Sequence, residues 1–96
     1  MSDEVEDAID EVLQGKPRAS ELAEMVAALE VRRETFLRER DAASDAAGRK
    51  EWTARLREVD RQIDLLRQEQ AITEFVENSV RVTANRPRLD MDETAY

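Results

Sequence analysis

At 96 residues the chain is one domain at most, near the size where a single hydrophobic core becomes marginal. Charged residues make up 40% and aromatics 4%, with two glycines and two prolines, a profile that belongs to long helices and coiled coils rather than sheets. The apolar share of 41% argues against a wholly disordered chain, and the absence of Cys removes disulfides, thiol catalysis and thiolate metal sites together. No apolar run resembles a transmembrane span or a secretory signal, so the expected location is intracellular and cytoplasmic.

The net charge of −8 is unevenly placed. Residues 1–15 hold Asp3, Glu4, Glu6, Asp7, Asp10 and Glu11 with no basic residue, whereas 16–43 balance and 44–84 carry a single excess acid. The body is near neutral and the acid sits on an N-terminal arm. Such an arm keeps a protein soluble or meets a basic partner.

Along the chain, Ser2 is an N-cap candidate, and Asp3 and Glu4 suit the positive end of a helix dipole. Val5, Ile9, Val12 and Leu13 follow at helical spacing, and Gly15 with Pro17 marks the stop, which predicts a short amphipathic helix over 3–14. Three turns are marginal alone and must dock on something. A second helix is predicted over about 18–42, starting between Pro17 and Ser20, with a Glu34–Arg38 pair on its exposed face. The break falls in 41–48, most economically as a tight turn at about 42–45 that leaves Gly48 in the first turn of the next helix. That third helix is predicted over about 45–82, with Glu51–Arg55 as a supporting pair, and residues 85–96 read as a flexible tail.

The second and third helices carry mirrored apolar stripes. Leu22, Val26, Leu29, Phe36 and Ala43 ascend; Trp52, Leu56, Val59, Ile63 and Leu66 descend. Pairing residues whose numbers sum to 92 sets Phe36 by Leu56, Leu29 by Ile63 and Val26 by Leu66. The expected fold is therefore all-α: an antiparallel, coiled-coil-like helical hairpin over 16–84 with a short N-terminal helix on the arm 1–15. The descending helix spans roughly 50 Å against about 36 Å for its partner, so it overshoots. Ile72, Phe75, Val76 and Val80 continue an apolar face there, for Val5, Ile9 and Leu13 of the arm or a second copy of the chain to cover. A lone two-helix hairpin buries one stripe per helix, too little to offset the entropy of ordering it, so dimerisation into a helical bundle is expected.

Arg33 and Arg40 interrupt the inward stripe. The mirror rule sets Arg33 beside Val59 and Arg40 beside Trp52, where each can send its head out to Asp60, Glu51 or water, and Arg40 can lie over the Trp52 ring. A sharper alternative gathers Arg32, Arg33 and Arg40 from two chains into an anion site at the dimer seam.

Acid–base chemistry near neutrality has no His or Cys to use, no glycine-rich loop cradles phosphate, and the Ser and Thr hydroxyls have no base to activate them. A catalytic site, a cofactor and a metal site are not expected. The run Leu56–Leu66, with VDRQID at its centre, looks like the opening helix of helical chorismate mutases, but its two acids stand four apart instead of three. Helical hairpins of some bacterial anti-sigma factors bind a cyclic dinucleotide through Glu, Ser, Arg, Gln and Asp at steps of four, three, four and four, a series that no register supplies here. The neutral body and acidic arm also disfavour nucleic acid and anionic membrane as partners. The expectation is a non-catalytic interaction module that pairs with itself and with another protein; the alternative is a receptor for a small anionic ligand such as a nucleotide.

Overall fold

Helix α1 (Ser2–Leu13) stops where the backbone turns left-handed at two successive residues, Gln14 at φ 54° and Gly15 at φ 82°. Only Gly15 was expected to do so, and Gln14 carries a Cβ that this conformation disfavours. The stop is held by Gln14 N–H donating to the Asp10 carbonyl (3.0 Å) and Lys16 N–H donating to that of Leu13 (3.1 Å). A computed structural model describes residues 2–85, with side-chain surroundings from residue 4 onward. Apart from Asn85, the tail 85–96 lies outside the described residues.

Two longer helices follow, α2 (Ala19–Ala42) and α3 (Ala46–Asn85), and no strand occurs among the described residues. Residues 43–45 are the whole connection. Ala43 is extended, which ends α2, and Asp45 caps α3 by accepting the Gly48 N–H at its Oδ1 (2.7 Å). A Cβ on Gly48 would stand 3.0 Å from that oxygen, so the missing side chain leaves room for the cap. In the first turn of α2, Glu21 Oε1 accepts the Arg18 N–H (2.9 Å).

Helices α2 and α3 lie side by side in opposite directions, as cross-helix contacts record. Glu30 meets Arg67, Arg33 meets Asp60, and the Phe36 ring stands 5.4 Å from that of Trp52, so one number rises as the other falls. Val26, Val59 and Ile63 form the buried seam, with Leu29, Phe36 and Leu66 half-buried against it. The sums of paired numbers run from 97 at Glu30–Arg67 to 88 at Phe36–Trp52, around the 92 read from the stripes. Side chains lean toward their own helix N-terminus. Long pairs such as Glu30–Arg67 therefore reach past each other and raise the sum, while near the turn the three-residue connection holds it down.

α1 packs against α3 as well. Leu13 shares a groove with Thr73 and Val76, and Glu6 reaches Arg81 at 3.6 Å, so α1 also opposes α3 in direction. α1 and α2 thus follow one another along the length of α3, which acts as a common spine. The result is elongated. Ile9 of α1 is fully buried and Leu22 of α2 is 2% exposed, the two most deeply buried large side chains among the described residues.

Two sequence expectations give way to nearer partners. The cation over Trp52 is Arg55, whose guanidinium carbon lies 4.4 Å from the ring centroid, while Arg40 turns to its neighbour Asp41 (3.6 Å). Arg55 stands one turn along the same helix from Trp52 and is steadied by Glu51 (3.0 Å), so it reaches the ring without crossing the seam. Likewise Arg38 donates to Thr35 Oγ1 (3.3 Å) rather than to Glu34.

Truncating either buried anchor is expected to be costly: Ile9→Ala and Leu22→Ala should each lower stability by about 2–5 kcal/mol in urea denaturation at fixed protein concentration. Val31→Ala, on a side chain that is exposed, should change it by less than about 0.5 kcal/mol.

Candidate functional site

The structure divides the candidate contact residues into two groups. Ile9 and Leu13 are buried, and Val5 is half-buried on α1. Val76 and Val80 are half-buried on the stretch of α3 that α1 lies along. Ile72 and Phe75 point elsewhere: they are 64% and 72% exposed. They are not alone. Leu65 and Val82, also on α3, are 56% and 62% exposed, and the four recur at steps of seven, three and seven.

That spacing is heptad-like. At 100° per residue, Leu65, Ile72, Phe75 and Val82 share one face of α3, roughly opposite the face carrying Val59, Ile63 and Thr73. Gln68 and Ser79 fill the two remaining positions of the same stripe. Val12 of α1, itself exposed, borders Ile72 in a shallow groove completed by Pro17 and Val76. These apolar side chains are grouped on one helical face, whereas single exposed ones such as Val31 need no explanation.

Beneath this surface lies a polar joint absent from the sequence expectations. Glu77 is buried on α3, and its Oε2 accepts the Ala19 N–H at 2.7 Å, satisfying a free donor in the first turn of α2. Arg18, at the cap of that helix, donates from Nε to Asp10 Oδ1 (2.8 Å) and from Nη2 to the Glu6 carbonyl (3.0 Å), with Glu6 Oε1 at 3.1 Å. Arg81 adds contacts to Glu6 (3.6 Å) and Glu77 (3.7 Å). The Asp10 hydrogen bond, with its charge and that of Glu6, raises the Arg18 pKa above its usual value, while burial works against it. The guanidinium thus stays charged at any working pH. A cation at a helix N-terminus is unfavourable by itself, and the Glu6 and Asp10 carboxylates pair with this one. Two of the acids of the N-terminal arm are therefore internal partners, whereas Glu4, Asp7 and Glu11 face outward. The sequence signal for Glu77 was an acid standing on the inward stripe at the level of the second helix's start.

The arginines considered for an anion site are dispersed. Arg33 Nε donates to Asp60 Oδ1 at 2.6 Å, a hydrogen bond that raises its pKa, and Arg40 pairs with Asp41. Arg32 is exposed. The hollow beside Arg33 also holds Glu30, Asp60, Asp64 and Arg67, so acids outnumber bases there. Among the described residues no three acidic side chains are grouped to hold a metal ion, and no helix is long and apolar enough to cross a membrane.

Removing the Glu77 acceptor should be felt as a lost cap. Glu77→Ala is expected to cost about 1–3 kcal/mol by chemical denaturation, and Glu77→Gln, which keeps an amide oxygen for the Ala19 N–H, distinctly less. No protein-family model matches this chain, and no curated protein or solved structure matches it either.

Proposed function

We propose that this chain is a non-catalytic protein–protein interaction module: a coiled-coil-like helical hairpin that self-associates into a homodimeric bundle and acts as an adaptor, regulator or small assembly protein in the cytoplasm. One observation carries the reading. The face of α3 turned away from α2 presents Leu65, Ile72, Phe75 and Val82 to solvent at coiled-coil spacing, after α1 has already covered the neighbouring stretch of the same helix. The chemistry of the side chains agrees, because an acid-rich helical surface without His or Cys offers contact rather than turnover. Another protein remains a partner of this module alongside a second copy, with Glu4, Asp7 and Glu11 as the outward charges that would greet a basic surface.

The receptor alternative has weaker support, since Arg33 and Arg40 are engaged by Asp60 and Asp41 and the hollow at Arg33 is acid-rich. A thermal-shift screen against nucleotides separates the two readings. Stabilisation that disappears in the Arg33→Ala, Arg40→Ala protein would favour the receptor, and silence favours the interaction module.

Sedimentation velocity at micromolar concentration is expected to give twice the chain mass. Phe75→Glu should return it to the monomer mass with its helical circular dichroism intact, because Phe75 is mostly exposed within the chain. A wild-type protein that sediments as a monomer throughout would sink the self-association reading.

A further inference from the structure

We infer that two copies pair antiparallel through α3, in the register that sets Leu65 against Val82, Gln68 against Ser79 and Ile72 against Phe75 of the other copy. This rests on the self-association reading above and specifies its geometry. The stripe is self-complementary in this register under a two-fold axis perpendicular to the helix. Its six positions, Leu65, Gln68, Ile72, Phe75, Ser79 and Val82, alternate by three and four, so reversing the helix superimposes each position on another of the set, and every apolar residue meets an apolar one. The one polar layer, Gln68 against Ser79, occurs twice and sits between apolar layers on both sides. A Gln amide facing a Ser hydroxyl can exchange a hydrogen bond, and a polar layer of this kind fixes register.

The flanking charges favour this direction over the parallel one. In an antiparallel pair, residues preceding the stripe face their own kind, which brings Asp64 to Asn78 and Ala71 to Ala71 of the other copy. Residues following it do the same, bringing Glu69 to Thr83 and Val76 to Val76. No like charges meet. A parallel pair would instead set Asp64 against Glu69 of the other copy, twice by symmetry, and like charges at such positions repel. The stripe also ends cleanly, since the next position toward the turn is Arg61, exposed and bound to Glu58 at 2.7 Å. Val12 beside Ile72 widens the apolar strip on the side of α1, giving the second copy's helix a shallow groove to enter. The assembly then has the two α3 helices at its centre, with α2 of each copy on the outside, a layered array rather than a square bundle.

Cysteine cross-linking tests the register, and the chain has no native Cys to confuse it. Gln68 and Ser79 are both exposed, so Gln68→Cys and Ser79→Cys leave the fold intact. A mixture of the two variants should form a disulfide between unlike chains under mild oxidation. Neither variant should cross-link to itself, because like positions are then offset by eleven residues, about 16 Å, beyond the reach of a disulfide. Self-linking of each variant would show a parallel pair and overturn the inference. A dimer by sedimentation that shows neither pattern would overturn it too, while leaving self-association standing; a monomer would overturn both. Independently, Asn78→Lys with Thr83→Lys should tighten dimerisation several-fold at low salt, by meeting Asp64 and Glu69 of the other copy. In a parallel pair positions 78 and 83 face each other, so the same change would weaken it.

Discussion

The hydrogen bond from the Ala19 N–H to the buried Glu77 carboxylate is the contact on which the arrangement turns. It fixes where α2 begins relative to α3, and Arg18, one residue earlier, carries that placement on to α1 through Glu6 and Asp10. A charged oxygen inside a protein is costly unless its partners are complete. Here the helix end supplies a donor and a positive dipole, and Arg81 stands beside the other oxygen. The same few residues that close the start of α2 thus decide which stretch of α3 lies under α1.

That decision determines what α3 can offer. One side of the spine is spent on α2 near the turn and on α1 near the far end, and the opposite side keeps Leu65, Ile72, Phe75 and Val82 in the open. The remaining ion pairs along the seam, Arg33–Asp60 and Arg67–Glu30, are partly exposed and contribute mainly to alignment. Apolar packing is concentrated in Ile9, Leu13, Leu22 and Val26 and in Leu56, Val59 and Ile63. A fold this slender has a high ratio of surface to core, and association is the ordinary way for such a fold to gain buried area.

The helical class and the existence of three helical segments were legible in the chain, because apolar spacing and the Gly15–Pro17 stop act locally. Val26, Val59 and Ile63, each read as part of an apolar stripe, cluster in the buried seam. What escaped were contacts decided by reach rather than by period. Trp52 took Arg55 from its own helix instead of Arg40 from across the seam, and Glu77, on which no expectation was placed, is bound by the N–H that opens α2. The exposed stripe was half visible: Ile72 and Phe75 stood out, but only the position of α1 separates them from Val76 and Val80.

The Ala19–Glu77 bond joins residues 58 apart in sequence, whereas the turn between α2 and α3 spans three. Loop-closure entropy makes the near contacts form before the distant ones. Contacts beside the turn at Asp45 are therefore expected to form before the junction near Ala19 and Glu77. In chain order Ala19 is made well before Glu77, so the first turn of α2 gains this acceptor only once most of α3 has followed it.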